Sequence, residues 1–309
     1  MSKDHKNLKV LVEKIESMNL GKIRLCEQMS KHTTLRIGGL VDIFFIPHDI
    51  RSLKQSIEMF KQLDIPWKFI GNGSNVVIKD GGVRGVVIKL PENISNTEFS
   101  DHSISVSGGF SLTKLSILAS KASMSGLEFA CGIPGTIGGA IYMNAGGYGS
   151  EMSDVVNYIH VLDENGEMHS MHRDELNFGP RKSILQGKKW VVYQANLKLI
   201  EGNKESSIKR MKKFMNHRKQ TQPYGIPSVG SVFLNPPNEY SGQIIEASGL
   251  KGYRMGDAQV SEIHANHFVN KGQATASDFL KLMEHVKKVI ADKYNINLIP
   301  EVEILGENL

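Results

Sequence analysis

A glycine-rich stretch of sixteen residues, GIPGTIGGAIYMNAGG at 132–147, restricts this chain more than any other feature of its sequence. Six of its residues are glycine. Glycine lets a backbone adopt positive φ and lie close to a ligand, and successive inward-facing amides suit an anion such as a pyrophosphate. A second glycine stretch, GNGSN at 71–75, lies about 60 residues upstream. Tight turns would explain one such loop equally well, but two loops favour a ligand with two ends.

Helical and strand patterns alternate before the first glycine loop. A lead-in helix is predicted ahead of Gly21, from apolar residues at helical spacing: Leu8, Leu11, Val12, Ile15 and Met18. A strand ending at Pro47, a helix from Ile50 and a strand at 67–70 follow, and this last strand leads directly into GNGSN. Because open α/β sheets bind ligands at such strand ends, this loop is well placed for a binding role.

Strands dominate the middle of the chain. Five strands are predicted from β-propensity and adjacent turn residues, at 76–78, 86–88, 104–106, 158–162 and 189–200. The first two flank an Asp-Gly-Gly turn at 80–82. One helix, capped by Ser111 and stopped by Gly126, interrupts the series of strands. The pattern predicts an α+β region with many antiparallel pairs.

The last hundred residues form a compact region of their own. A proline-punctuated loop at 221–237 indicates a domain boundary followed by a binding loop. A helix opened by Ser277 and a closing strand in LIPEVEILG at 298–306 complete the pattern. This predicts a second, smaller α+β domain.

Composition excludes several classes of protein. The chain has 309 residues, of which 40% are hydrophobic, enough for packed cores in two or three domains. Charged residues interrupt the apolar positions of residues 1–30, and no stretch reaches the roughly 18 apolar residues of a membrane span. Cys26 and Cys131 give neither a disulfide framework nor a metal spacing. These features predict a cytoplasmic protein without a membrane anchor.

The charge balance leaves two interpretations open. Lys and Arg total 37 against 32 Asp and Glu, a net charge of +5 that suits a phosphate-bearing small molecule at least as well as a nucleic acid. Basic residues are concentrated in one helical segment: Lys204, Lys209, Arg210, Lys212, Lys213, Arg218 and Lys219. A solvated helix surface is the simpler explanation of this run, and a nucleic-acid-binding face is the alternative.

Taken in order, the motifs resemble a known family. The loops GNGSN and GIPGTIGGAIYMNAGGYG, with TTLRIGG before them and GSVFLNP, AQVSEIHANHFVN and PEVEILG after them, are similar to those of UDP-N-acetylenolpyruvoylglucosamine reductases. These are flavoenzymes of peptidoglycan precursor synthesis. The resemblance runs from about residue 31 to the C-terminus, and the absence of long insertions resembles the shorter subclass of the family.

The resemblance implies a fold and a division into domains. After an N-terminal helical lead-in at 1–30, it implies an α+β FAD-binding domain of the vanillyl-alcohol-oxidase (PCMH) type at 31–200. Two lobes, at about 31–95 and 96–200, would clamp the cofactor. A smaller α+β substrate-binding domain would occupy residues 201–309.

The resemblance also implies tightly bound, non-covalent FAD, with NADPH as the reductant. The GNGSN loop would cradle the pyrophosphate, and the stretch from 133 to 139 would line the isoalloxazine and ribityl groups. The expected FAD-binding residues are Arg36, Gly71, Asn72, Gly73, Ser74, Asn75, Ile133, Pro134, Gly135, Thr136, Gly138, Gly139 and Asn144.

Three residues match the family's catalytic positions: Arg181 in FGPRKSIL, Ser231 in GSVFLNP and Glu301 in PEVEILG. Hydride transfer to the enolpyruvyl double bond creates an enolate, which Ser231 would protonate. Arg181 would stabilise the enolate by a charge-assisted fork, and Glu301, if protonated or bridged, by a further hydrogen bond. By themselves, a loop arginine, a turn serine and a strand glutamate would be ordinary surface residues, so these roles depend on the resemblance.

Lys219 and Asn235 match positions that would contact the diphosphate and the sugar of a UDP-sugar substrate. The sequence departs from the family at Pro180, where a tyrosine is usual, and at Leu234, where a lysine or arginine is usual. These departures would weaken substrate binding or alter the substrate. His264 and His267 are spaced as a metal pair could be, but two histidines alone are a weak signal and the family needs no metal. They are interpreted as structural or substrate-side residues.

Three classes of function follow from these patterns. The first is the reductase, expected to act as a monomer with no nucleic-acid or membrane partner. The second is a related FAD oxidoreductase with another substrate, or a drifted paralogue, which would not need Arg181, Ser231 and Glu301 as a set. The third is a non-catalytic nucleotide-binding or nucleic-acid-binding protein using the basic helix at 204–219. The visible spectrum of the purified protein separates the third class from the others.

Overall fold

In a computed structural model, which describes residues 3–309, the chain forms two compact units assembled from interleaved segments. Unit 1 comprises Met1–Cys26, Asp42–Gly71 and Arg84–Met215, and unit 2 comprises Glu27–Val41, Asn72–Val83 and Asn216–Leu309. The first glycine loop is therefore divided after Gly71. The linear domain boundaries at residues 30 and 200 stay predictions.

The predicted helices are present. Asp49 and Ser111 cap the second and third helices by accepting hydrogen bonds from the amides of Ser52 and Lys114. Within residues 3–309, no helix has both the length and the apolar composition needed to cross a membrane. The α-helices are α1 (Lys3–Ser17), α2 (Ile50–Gln62), α3 (Leu112–Lys121), α4 (Ile137–Tyr142), α5 (Lys204–Thr221), α6 (Ser241–Ala247) and α7 (Ala276–Tyr294).

One predicted helix start was wrong by two residues. Thr275, and not Ser277, caps α7. The Thr275 hydroxyl accepts from the Asp278 amide, and the Asp278 carboxylate accepts from the Thr275 amide, each at 3.0 Å. This reciprocal capping box satisfies two otherwise unpaired donors, so it outcompetes a single serine cap.

The strands are mostly short, and several are only two residues long. They are β1 (Gly21–Gln28), β2 (Leu40–Pro47), β3 (Trp67–Ile70), β4 (Val76–Ile78), β5 (Val83–Lys89), β6 (Glu98–Ser100), β7 (Ser103–Ser107), β8 (Met124–Ser125), β9 (Gly146–Gly147), β10 (Ser150–Glu151), β11 (Val156–Leu162), β12 (Met168–His172), β13 (Val191–Lys198), β14 (Ile200–Glu201), β15 (Ser228–Ser231), β16 (Arg254–Met255), β17 (Ala258–Val260), β18 (His267–Asn270) and β19 (Glu303–Leu305).

Unit 1 contains two larger sheets and two hydrophobic cores. One sheet has the order β1-β2-β5-β3, and the other is antiparallel with the order β12-β11-β13-β7-β6. Helices α1 and α2 bury Leu11, Ile57 and Phe60 in the first core, and α3 and α4 bury Leu115 and Ile141 in the second. The antiparallel pairs predicted for the middle of the chain are confirmed.

Unit 2 consists of an antiparallel sheet, β15-β18-β17-β16, and a parallel pair, β4-β19. The long helix α7 packs Phe279 against Phe268 of β18, with ring centroids 5.6 Å apart. Phe268 in turn meets Phe233 edge-on at 5.9 Å. This aromatic cluster anchors the central strand of the sheet.

The two strands predicted around the Asp80-Gly81-Gly82 turn exist but are not sheet partners. β4 pairs in parallel with β19, whereas β5 pairs in parallel with β3. A short turn between two strands favours a hairpin locally, but pairing with distant strands prevails here. The consequence is that β4, which follows the GNGSN loop, lies beside the C-terminal strand.

A buried carboxylate anchors the N-terminal part of α5 to the rest of unit 1. Glu128 is 4% exposed, and its carboxylate accepts hydrogen bonds from the Ser125 and Ser207 hydroxyls at 2.9 and 2.7 Å and from the Gly126 amide at 2.8 Å. Burial alone raises the pKa of this carboxyl, but the hydrogen bonds from Ser207 and its neighbours outweigh burial and hold the pKa below its usual value.

Glu128→Gln is expected to lower the free energy of unfolding at pH 7 by about 1–3 kcal/mol, because donors aimed at a carboxylate lose an ionised acceptor. A lowered folded pKa contributes stability above the ordinary pKa of 4.5, and this is lost as the pH falls through the folded value. The difference between variant and wild type should therefore shrink in urea titrations below that pH. Glu205→Gln, an exposed glutamate in the first turn of α5, should change little at either pH.

Candidate functional site

The main glycine stretch belongs to unit 1 and leads from a 3-10 helix, Glu128–Gly132, into the short helix α4. Thr136 caps α4 by accepting a hydrogen bond from the Gly139 amide at 3.2 Å. Gly135 has φ of 150°, a conformation that favours glycine. Pro134 and Gly139 are exposed, so part of this turn is accessible to a ligand.

Backbone contacts hold this turn in place. The Gly138 amide donates to the Gly108 carbonyl at 2.8 Å, and the Thr113 hydroxyl donates to the Ile133 carbonyl at 3.0 Å. A methyl group on Gly138 would lie 3.2 Å from the Gly108 carbonyl oxygen. The glycine at 138 therefore permits close packing against Gly108, the residue that follows β7, while its neighbours supply the exposed surface.

Gly71, at the end of β3, lies against the capping residue of this turn. A Cβ added to Gly71 would be 2.7 Å from Thr136 Oγ1. The strand that leads into GNGSN and the second glycine stretch, both predicted from sequence to bind one ligand, thus meet within unit 1. The sequence indicated both segments but could not show that they touch.

Asn144 was predicted to bind the cofactor, and its side chain is engaged by the protein. The residue is fully buried. Its side-chain amide donates to Glu151 Oε1 at 2.8 Å and to the Gly179 carbonyl at 3.0 Å, and its oxygen accepts from the Ser153 amide at 2.9 Å. These bonds give Asn144 a structural role in holding the end of the stretch, and its contact with a cofactor stays a prediction.

Arg181 lies at a tight turn beside the same stretch. Gly179 and Lys182 exchange two backbone hydrogen bonds of 3.0 Å, which places Pro180 and Arg181 at the turn. Arg181 has φ of 56°, an uncommon conformation for a residue with a side chain. Its guanidinium Nη2 lies 3.4 Å from the Gly146 carbonyl oxygen. The proline that departs from the family pattern suits the second position of such a turn.

In unit 2, the rest of the first glycine loop is bound to the TTLRIGG segment. The Thr34 amide donates to the Gly73 carbonyl at 3.1 Å. Gly73 has φ of 59°, and a Cβ there would collide with the His32 carbonyl oxygen. Only glycine fits this position without moving the loop. Asn72 and Ser74 remain half-exposed.

Thr34 also ties this loop to the strand that carries Ser231. Its hydroxyl donates to the Ser228 carbonyl at 2.7 Å. Gly230, with φ of 79°, interrupts the regular ladder of β15 and approaches the Ser74 carbonyl oxygen. Ser231, half-buried, follows directly as the last residue of the strand. The loop and the candidate proton donor are therefore neighbours.

Glu301 joins the same cluster through its backbone. Its amide donates to the Val232 carbonyl at 2.8 Å, one residue beyond Ser231. The Asn75 side-chain amide donates to the Glu301 carbonyl at 3.0 Å, and the Glu303 amide donates back to the Asn75 carbonyl at 2.9 Å. Unit 2 thus brings together three segments that are far apart in sequence, around Asn75, Ser231 and Glu301.

The remaining predicted residues lie on the surface of unit 2. Arg36 is exposed with φ of 57°. Lys219 is exposed, with its ammonium 5.5 Å from the Tyr224 ring centroid. Asn235 is exposed, and its side-chain oxygen accepts a hydrogen bond of 3.1 Å from the amide of Ser241, the first residue of α6. Their predicted contacts with cofactor and substrate stay predictions.

Two residues that shape the site lie within the quoted motifs but were not singled out from the sequence. One is Thr34, described above. The other is Asn266, whose side chain accepts from the Phe233 amide at 3.0 Å and donates to the Phe233 carbonyl at 2.8 Å. The Asn266 side chain therefore makes the two hydrogen bonds that a neighbouring strand would make, two residues beyond Ser231. Buried, doubly bonded polar side chains like Asn266 are recognised only when the register of the strands is known.

Two family models match the chain. Residues 41–172 match a family described as FAD binding domain, and residues 222–305 match one described as UDP-N-acetylenolpyruvoylglucosamine reductase, C-terminal domain.

Named relatives match nearly the whole chain. The chain is 46% identical to UDP-N-acetylenolpyruvoylglucosamine reductase of Anoxybacillus flavithermus, over 96% of this chain and 98% of the relative. It is 42% identical to the protein of that name from Bacillus subtilis, over 96% of this chain and 99% of the relative. The crystal structure of UDP-N-acetylenolpyruvylglucosamine reductase from Thermus caldophilus is similar with a TM-score of 0.80 and 35% identity, over 93% of this chain and 99% of that one.

Proposed function

Since the chain belongs to the UDP-N-acetylenolpyruvoylglucosamine reductase family, we propose that it reduces the enolpyruvyl group of UDP-N-acetylglucosamine enolpyruvate and forms UDP-N-acetylmuramate for peptidoglycan synthesis. FAD is its cofactor, and NADPH is the reductant that we propose. One observation carries the proposal: in unit 2, one hydrogen-bond network joins residues 72–75 of the first glycine loop to the segments that carry Ser231 and Glu301. A monomeric state and a cytoplasmic location remain parts of the proposal.

The residues present suit a flavin dinucleotide. Gly73 and Gly135 occupy conformations that favour glycine, and Gly71 packs where a Cβ would crowd Thr136. The half-exposed side chains of Asn72 and Ser74 can donate hydrogen bonds to phosphate oxygens. Asn75, whose side-chain amide already bonds Glu301, would contribute to FAD binding through the position of its loop.

The chemistry assigns a task to each catalytic residue. When bound, reduced FAD supplies the hydride that no side chain can deliver. Ser231 gives its hydroxyl proton to the substrate carbon that becomes electron-rich, so that a C–H bond forms as the O–H bond breaks. Arg181 stabilises the negative charge that develops on the substrate carboxylate by a charge-assisted hydrogen-bond fork, and Glu301, in its protonated form, donates a further hydrogen bond. Arg181 is suited to this because its planar guanidinium presents a fork of N–H donors that matches the geometry of a carboxylate.

The decisive test follows the flavin spectrum through both half-reactions. The purified protein should be yellow, should bleach with NADPH under anaerobic conditions, and should recover its absorbance when the enolpyruvyl sugar nucleotide is added. Analysis of the product should identify the lactyl ether.

Other outcomes select other functions. Bleaching by NADPH without recovery on adding the enolpyruvyl substrate would favour an FAD oxidoreductase with a different substrate. Colourless protein that binds DNA with steeply salt-dependent affinity would favour the basic helix at 204–219 as the functional surface. Either result would overturn the proposed reaction.

A further inference from the structure

His267, the first residue of β18, has an unpaired polar atom in the interior of unit 2. The residue is 5% exposed, and its ring Nδ1 has no hydrogen-bond partner among the described residues. Buried polar atoms are normally satisfied because leaving one unpaired is costly. An unpaired ring nitrogen near a reaction site therefore points to a hydrogen bond that forms only during the reaction.

The partner is indicated by the strand register. Ser231 and His267 are directly opposite each other in the antiparallel pair β15-β18. Side chains of directly opposed residues project from the same face, with Cβ atoms about 4.5–5.5 Å apart. The Val232 amide donates to the Asn266 carbonyl at 2.8 Å, and the Asn266 side chain bonds Phe233 on both sides, so this register is held firmly. His267 is thus fixed beside the proposed proton donor.

The surroundings keep the imidazole neutral. Burial lowers the pKa of His267 to about 3, and the neighbouring His264 and the cationic Arg218 act in the same direction. The His264 ring lies 4.7 Å away between centroids, and its own pKa is lowered by burial and by Lys251, against a smaller opposing effect of Glu246. A neutral imidazole carries one N–H group and can donate one hydrogen bond without a net charge.

Proton donation by Ser231 creates a need for such a donor. When the hydroxyl proton passes to carbon, the oxygen is left as an alkoxide, which is unstable unless a hydrogen-bond donor faces it. Hydrogen bonds to ionised groups are about twice as strong as neutral ones, so a donor placed here gains strength as the charge develops. A donor that strengthens in this way lowers the barrier instead of only tightening substrate binding.

On the basis of the proposed function, we propose that His267 is a positioning residue whose Nδ1–H donates a hydrogen bond, directly or through one water, to Ser231 Oγ and stabilises the alkoxide. The Ser231 O–H bond breaks, the enolate electron pair forms the new C–H bond, and the alkoxide then regains a proton from water. His267 itself neither gains nor loses a proton, so the step balances without a further reactant.

The test compares His267→Leu with His267→Asn, which have nearly the same shape but differ in having an N–H donor. Stopped-flow absorbance of the FAD-bound protein gives the rate of flavin reduction by NADPH and the rate of reoxidation by the enolpyruvyl sugar nucleotide. His267→Leu should slow reoxidation about 10- to 100-fold and leave reduction unchanged. His267→Asn should recover most of the lost rate.

A double variant separates this role from a merely structural one. In a Ser231→Ala background no alkoxide forms, so adding His267→Leu should cause no further loss. Variants are compared only when their FAD content and unfolding temperature match those of the wild type, and His267→Phe, which keeps the ring volume, replaces a Leu variant that fails this check.

Three results would overturn the role of His267: additive losses in the double variant, equal rates for Leu and Asn, or matching losses in both half-reactions. Failure of the proposed function is distinguishable from all of these. In that case the wild-type protein itself would not be reoxidised by the enolpyruvyl substrate.

Discussion

Ser231→Ala is expected to slow reoxidation of the reduced flavin by the enolpyruvyl substrate by about 10²- to 10⁴-fold, the usual contribution of a general acid. The reduction of the flavin by NADPH should be unchanged, because no proton from Ser231 takes part in that half-reaction. Ser231 sits at the end of β15, between two backbone carbonyls that accept hydrogen bonds, Ser228 from Thr34 and Val232 from Glu301. Removing one oxygen atom leaves this framework intact.

Ser228→Ala provides the matched control for this prediction. Ser228 begins the same strand, and it is its backbone carbonyl that accepts from Thr34, so alanine preserves that contact. Stopped-flow traces of both variants, measured with NADPH and then with substrate, should show the loss only in Ser231→Ala and only in the second phase. An equal loss in both phases would reassign Ser231 to cofactor or fold positioning.

The strength of the serine assignment comes from local context and not from its chemistry alone. A serine hydroxyl is a weak acid, but an enolate carbon is a strong base, so a positioned hydroxyl can protonate it. A carboxylic acid at this place would be ionised near neutral pH unless its pKa were raised. The left-handed Gly230 and the backbone bond from Glu301 to Val232 fix the direction in which the strand presents Ser231.

Local patterns predicted the elements of the fold well. The spacing of Leu8, Leu11 and Ile15 predicted α1, and Ser111 predicted the start of α3, because these signals act over only a few residues. The pairing of strands was less predictable. β4 and β5 flank a short turn, yet each pairs with a different strand, because sheet partners are selected by burial across the whole unit.

The candidate site shows the same division. The positive φ angles at residues 73 and 135 were predictable, because glycine is the residue that adopts them most readily. The burial of Asn144 and the unpaired nitrogen of His267 were not, because hydrogen bonding depends on partners that are distant in sequence, such as the Gly179 carbonyl, 35 residues from Asn144. A motif indicates that a residue matters, but only its partners show whether it binds a ligand or holds the loop that does.

Gly73→Ala is expected to yield protein with little or no bound FAD. The substitution forces a side chain into a left-handed conformation with φ of 59° and drives its methyl group into the His32 carbonyl, 2.8 Å from Thr33 Cα. These contacts are with backbone atoms, which cannot rotate away, so the loop itself must move. A strain of about 1–3 kcal/mol corresponds to a roughly 5- to 150-fold weaker affinity, and displacement of the phosphate-binding amides adds to it.

Gly187→Ala isolates the conformational part of that effect. Gly187 also has positive φ, at 81°, but a Cβ there would have no neighbour within 4 Å. The ratio of flavin to protein absorbance, followed by titration of each apoprotein with FAD, should therefore fall for Gly73→Ala and stay near the wild-type value for Gly187→Ala. Full FAD occupancy in Gly73→Ala would mean that the first glycine loop does not cradle the cofactor. Loss of FAD in both variants would trace the defect to backbone strain in general, because only the first variant introduces a collision beside the loop.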